Sequence, residues 1–319
     1  MMRGGTRLAV AVGAASLLAG LGAFASGLGR WHAAAPMPME RTEVAAAALA
    51  GKIYVIGGFK SFFIGGVSDA VQEYDPALDR WRDRAPLPEP LHHAAAAALD
   101  GKVYVVGGYR DAWPWRPMAT VWRYDPSADR WEASRPMPTP RGGLAVAVVN
   151  GKLYAVGGKA EQVLSINEEY DPVTGAWRER APMPTGRDHL AAASLGGKVY
   201  VIGGRVGSMS RNLAATEVYD PATDRWQSRR PMPTARGGIA AVVRGRRLFV
   251  FGGEKSEGTF SQTEAYDPAS DSWTGMAPMP TARHGLGAAV VGRKIYVIGG
   301  GLKPGASRSR LNEVFDPSL

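Results

Sequence analysis

Six Asp-Pro dipeptides, at positions 75–76, 125–126, 171–172, 220–221, 267–268 and 316–317, each follow a Gly-Gly pair, and this repetition constrains the 319-residue chain more than any other feature. The pairs begin at Gly57, Gly107, Gly157, Gly203, Gly252 and Gly299, so successive repeats are offset by 50, 50, 46, 49 and 47 residues. A period of that length points to the blades of a β-propeller and away from helical solenoids. Function is then expected on a ring of blades and not in a cleft between domains.

Each period has one order: Pro-Met-Pro or Pro-Leu-Pro, usually an Arg three residues on, an Ala- or Val-rich run, a turn, an Ile-Tyr-Val-Ile-like run, Gly-Gly, a variable loop, Tyr-Asp-Pro and then Trp. Four short strands per unit fit this order. In the first unit the pattern predicts strand a over 44–50, b over 52–56, c over 70–74 and d over 80–83, with turns at Gly51 and Asp75-Pro76. Asp followed by Pro suits a type I turn, because proline presets φ while the aspartate oxygen accepts a nearby backbone N–H. The Ala-rich runs suit an innermost strand, since blades taper toward the axis and larger aromatic side chains belong farther out.

Five aspartates precede a tryptophan by six residues, as in Asp75 and Trp81 or Asp171 and Trp177. The sixth has no room for one, because only Pro317, Ser318 and Leu319 follow Asp316. Trp31 stands before Pro36-Met37-Pro38 at the spacing that Trp81 has to Pro86-Leu87-Pro88, so the N-terminal segment is expected to supply strand d of the last blade. That closure removes an open sheet edge. The repeated tyrosines and tryptophans are read as packing between blades, and truncating Trp177 to Ala is expected to cost about 3–5 kcal/mol.

The ordered Gly-Gly, Tyr-Asp-Pro and Trp signals resemble the kelch family over residues 30–319, with Phe315 replacing tyrosine in the last copy. The resemblance implies an all-β, six-bladed propeller closed by the N-terminal strand. It does not choose an activity, since kelch-like propellers include interaction scaffolds, copper oxidases and sugar-acid mutarotases. The oxidases of the family use a tyrosine cross-linked to cysteine, and this chain has no cysteine. The lack of cysteine also excludes disulfides.

Arg3 and Arg7 precede an apolar run from Leu8 to Phe24, and Ala23-Phe24-Ala25 has the form of a signal-peptidase site. Residues 1–25 are therefore expected to be a signal peptide and 26–319 the propeller, placing the protein in the periplasm or outside the cell. An uncleaved N-terminal membrane anchor is the alternative. The formal net charge of +9 falls to +7 when Arg3 and Arg7 are removed, and arginine is spread over all repeats. Neither a basic groove with interleaved aromatics nor a reading helix is present, so a nucleic-acid role is not expected.

Antiparallel a-b-c-d order sends the d-to-a and b-to-c connections to one face. Arg41, Arg141, Arg187, Arg236 and Arg283 begin strand a on that face, with Leu91 in the remaining repeat. By the kelch resemblance, arginines at this position lie at the channel mouth and bind acidic groups; the alternative is that they hold a neighbouring backbone or carboxylate. One or two residues later stand Thr42-Glu43, His92-His93, Gly142-Gly143, Asp188-His189, Gly237-Gly238 and His284-Gly285. A metal held by His93, His189 and Glu43 or Asp188 is conceivable, but no local ligand spacing supports it, and neither a metal nor a cofactor is expected. Acid–base chemistry by His189 with Asp188 or Glu43 is the catalytic option. In the second repeat, Trp113 and Trp115 flanked by Arg110 and Arg116 read as a contact patch, with a loop folded over its own blade as the alternative. Phe62-Phe63-Ile64 is expected to be a second apolar protrusion.

These features predict a binding scaffold whose arginine-bearing face, with His93, Trp113 and Trp115, grips an acidic protein, peptide or glycan. The alternative is a non-metal isomerase like the family's sialate mutarotases, using His189, Asp188 and Glu43. After cleavage, no stable membrane span is expected.

Overall fold

The structure, a computed structural model, describes residues 1, 28–60 and 66–317. The expected signal peptide and the Phe62-Phe63-Ile64 protrusion lie outside the described residues. Among the described residues no helix is long and apolar enough to cross a membrane.

Six four-stranded antiparallel sheets form the six blades. In the first, Ala45–Leu49, Lys52–Ile56, Val71–Asp75 and Arg80–Arg84 pair in chain order, within a residue of the strands expected from the sequence. The inner strands of the six blades, Ala45–Leu49, Ala95–Leu99, Ala145–Val149, Ala191–Leu195, Ala240–Arg244 and Gly287–Val291, adjoin one another around the axis. Their small side chains line the channel, among them Ala46, Ala96, Val146 and Ala288. The taper that favours alanine in the sequence is thus visible as a ring.

The last sheet is ordered Arg30–Ala33, Asn312–Asp316, Lys294–Ile298, Gly287–Val291, with Trp31 opposite Phe315. The N-terminal segment therefore closes the ring. Apolar cores lie between blades, as where Tyr54 and Ile56 of the first meet Val103, Val105 and Tyr124 of the second. Each strand-d indole reaches the blade before it: Trp81 Nε1 donates to Ala35 O at 2.8 Å, Trp131 Nε1 to Ala85 O at 2.8 Å and Trp31 Nε1 to Ala277 O at 2.8 Å.

The turns after strand c also join blades. Asp75 accepts the N–H of Ala77 at 3.0 Å, the local bond expected of Asp-Pro. Four residues after the first aspartate, Asp79 binds both the Tyr74 hydroxyl and the N–H of Ala35 in the neighbouring blade, and Asp129, Asp224 and Asp271 do the same in theirs. Tertiary contact, and not the turn alone, gives that second aspartate its place.

Candidate functional site

The five arginines at the start of strand a do not form an open recognition ring. Each is fully buried. Arg141 donates to Ala155 O at 3.0 Å on strand b, to Gly157 O at 2.9 Å just beyond that strand and to Glu168 at 2.6 Å on strand c. Arg187 with Glu217, Arg236 with Glu264 and Arg283 with Glu313 repeat the pair, and Arg41 uses Gln72. Burial of a guanidinium demands such partners, so these side chains tether strands and do not reach an acidic ligand. The second repeat has Leu91 where the others have arginine, and Trp122 where they have the carboxylate or amide. The sequence reading missed the carboxylates, although a residue three before each Asp-Pro aspartate changes together with the arginine.

The residues two after this position converge instead. Glu43, His93, Gly143, His189, Gly238 and Gly285 circle the axis, each N–H bonded to the carbonyl of the residue before it in the ring. His93 N donates to Glu43 O at 3.2 Å, Gly143 N to His93 O at 2.9 Å, His189 N to Gly143 O at 2.8 Å, Gly238 N to His189 O at 2.9 Å, Gly285 N to Gly238 O at 2.9 Å and Glu43 N to Gly285 O at 2.7 Å. All six have positive φ, and three are not glycine: Glu43 at 53°, His93 at 53° and His189 at 52°. Such residues cost about 1–3 kcal/mol each and concentrate at functional sites. A Cβ at Gly285 would strike the Glu43 carboxylate, so glycine there makes room for it.

Below this polar ring Val44, Ala94, Leu144, Leu190, Ile239 and Leu286 narrow the channel. The partly open pocket is about 90 Å³, room for about three waters.

Hydrogen-bond partners fix the protons of the pocket. His92 Nε2 faces the Asp111 carbonyl at 3.1 Å and must donate, which leaves His92 Nδ1 as an acceptor for His93 Nδ1 at 2.6 Å. His93 Nε2 then faces Glu43 Oε2 at 3.3 Å. A guanidinium only donates, so the 2.7 Å contact of Arg205 Nη2 makes His189 Nε2 an acceptor, while His189 Nδ1 bonds to Asp188. On the other side of Glu43, His284 gives Nε2 to Lys303 O at 3.0 Å and turns Nδ1 to Glu43 at 3.1 Å and Glu254 at 3.4 Å.

Electrostatics sharpen this arrangement. Burial pushes Glu43 up, but the surrounding histidines outweigh it and hold its carboxyl well below the usual range. Burial pulls His92 down to about 4 and His93 well below its ordinary value, against the pull of Glu43. His284 moves up despite burial, because Glu43 and Glu254 favour its charged form. Neither Glu254 nor Arg205 was singled out from sequence, although both directly follow a Gly-Gly pair, a repeat position that bridges the residue next to the strand-a arginine site in each blade.

The two loop tryptophans part company. Trp115 folds inward, its ring 4.8 Å from His93 and 5.2 Å from Tyr109, and its indole bonds Ala112 O at 3.0 Å. Trp113 stands out at 85% exposure beside exposed Arg110 and Arg116. One tryptophan therefore packs on His93 and the other faces solvent.

Comparison with known proteins agrees with this architecture. A family model described as the KLHDC2/KLHL20/DRC7 Kelch-repeats domain matches residues 29–204 and 170–300. The chain is similar to a solved structure titled "Structure of YjhT", with a TM-score of 0.74 and 18% identity over 87% of this chain and 95% of that chain. At that identity the likeness speaks to fold alone. No curated protein matches the chain.

Proposed function

Because the chain belongs to the kelch-repeat family, we propose that it is an exported binding scaffold that takes an acidic protein, peptide or glycan on its channel-mouth face. The observation that carries this reading is Trp113, 85% exposed beside Arg110 and Arg116, on the loop whose Trp115 packs against His93 at the pocket. An exposed aromatic between cations suits an anionic surface with some apolar character. Recognition falls to the exposed Arg110 and Arg116, because the buried arginines, and Arg205 with Asp188 and Glu254, are already paired. The pocket of about 90 Å³ opens at the mouth, so a glycan or peptide would rest across it with one substituent reaching the ring of Glu43, His93 and His189.

Affinity capture from the extracellular medium tests the reading. Wild-type protein should retain an acidic partner and the combined Arg110→Glu, Arg116→Glu and Trp113→Ala variant should lose it at an unchanged thermal midpoint. Undiminished capture by the variant refutes the assignment. Export rests on Arg3, Arg7, the apolar run and Ala23-Phe24-Ala25, and an intact mass beginning at Ser26 is expected. A retained Met1 would favour the anchored form.

The buried carboxylate–imidazole contacts of Glu43 with His93 and Asp188 with His189 favour a second reading, a sugar-acid mutarotase or isomerase. It requires accelerated anomer exchange of an acidic sugar that is lost with His189→Gly. No acceleration by wild-type protein removes it.

A further inference from the structure

We propose that Glu43, His93 and His189 are the protein ligands of a late first-row divalent cation of the zinc class. Their ligand atoms all lie within 4.8 Å of one another, although they come from the first, second and fourth blades. His93 Nε2 and Glu43 Oε2 stand 3.3 Å apart, close to the roughly 3.4 Å edge of a tetrahedron built on bonds of about 2.1 Å.

The hydrogen bonding orients the same atoms. With His93 Nδ1 committed to His92, Nε2 is the ring nitrogen left to face the Glu43 carboxylate, a contact that a proton on Nε2 or a shared cation balances. His189 is prepared in the same way: Asp188 holds its Nδ1 and so reserves Nε2 as the donor atom. A ring nitrogen anchored by a carboxylate or a second polar group is the usual support of a metal-binding histidine. Asp188 Oδ2 is itself buried without a hydrogen-bond partner, leaving that carboxylate able to take up further positive charge.

Two imidazoles and one carboxylate, with no thiolate, select zinc-like ions over calcium or magnesium. The pocket of about 90 Å³ has room for an ion and, through its open side, a further ligand. Arg205 Nη2 now occupies the His189 lone pair, and on metal binding it would give up that contact while keeping Glu254 at 2.7 Å. The other side of the Glu43 carboxylate belongs to His284 and Glu254, so its two oxygens serve two different partners.

This inference deepens the proposed binding face, because a cation with an open position would receive a carboxylate of an acidic ligand. Its test needs no such ligand. Full-length protein stripped by chelator is titrated with Co²⁺, followed by visible absorption, and the bound ion is then displaced with Zn²⁺. One equivalent with a tetrahedral-type d–d band is expected. Glycine already stands at the equivalent ring position in three blades, so His93→Gly and His189→Gly should fold with relaxed backbones. Each should weaken Co²⁺ binding by at least about 100-fold, and Asp188→Asn by about 10–100-fold. His32→Ala, at an exposed histidine, should change nothing.

Failure of the wild-type protein to take up one saturable equivalent overturns the site, as does equal uptake by the double glycine variant. If either variant unfolds, Zn²⁺-edge anomalous scattering from metal-soaked wild-type crystals decides instead: a peak between Glu43 and His93 supports the site, and its absence overturns it. Metal uptake with no acidic partner captured would refute the binding face and leave the cation site standing. Capture without metal uptake would do the reverse.

Discussion

Arg141 donates to Glu168 at 2.6 Å with both side chains withdrawn from solvent, and the second blade dispenses with that pair by carrying Leu91 and Trp122 at the same two positions. A buried ion pair is costly to break from one side because the remaining charge has no partner. Replacing both members by apolar groups avoids that cost.

Arg141→Leu should therefore destabilise by about 3–5 kcal/mol, measured by urea denaturation. Arg141→Leu combined with Glu168→Leu should recover a large part of the loss. Equal losses in single and double variants would show that the arginine acts through its backbone bonds alone. For the same reason, reversing Arg141, Arg187 and Arg236 to glutamate should unfold the protein and cannot serve as a test of ligand capture.

Trp31→Ala removes an indole packed on Phe251 and Phe315 together with its bond to Ala277 at 2.8 Å. Trp177 is likewise partly exposed, with its ring 4.9 Å from Tyr170. Either truncation should cost about 2 kcal/mol, below the ~3–5 kcal/mol of a fully buried aromatic. The expectation from sequence was too high for Trp177 because it assumed complete burial. Trp31→Ala should also speed amide exchange along Asn312–Asp316, and unaltered exchange there would speak against its part in closure.

Acid should loosen the contacts between blades. Asp224 is held low by the Tyr219 hydroxyl and then by the Ala181 N–H, and Asp79, Asp129 and Asp271 have the same kinds of partner. A carboxyl depressed in the folded state contributes stability above its unfolded value, about 3.9, and that stability is lost as pH falls through the folded value. Unfolding free energy should fall with decreasing pH below about 4. The slope should be shallower in a variant with all four aspartates changed to Asn, and an identical slope would place the acid sensitivity elsewhere.

Gly285→Ala introduces a side chain at φ 57° and drives a methyl group into the Glu43 carboxylate. A loss of about 1–3 kcal/mol is expected. Gly292→Ala has a similar φ of 60° with open space around it, so it reports the backbone cost alone. Equal midpoints for the two variants in thermal denaturation would mean that the ring is not closely packed around Glu43.

Periodicity alone determined the number of blades, the strands within each and the borrowing of Trp31, because β-pairing and turn chemistry are short-range and recur with every copy. The arginines were visible in the same pattern, and holding a backbone or carboxylate was one of the two roles it allowed, but the pattern did not choose between them. Whether a guanidinium at the head of strand a meets solvent or Glu168 depends on how strand c lies beside it, a contact between residues 27 apart. The gathering of Glu43, His93 and His189 was still less legible. They come from three blades and meet only when the ring closes, so no spacing along the chain encodes their distance, and their hydrogen bonding is set by Asp111 in the second blade and by Asp188 and Arg205 in the fourth, residues the other blades do not repeat.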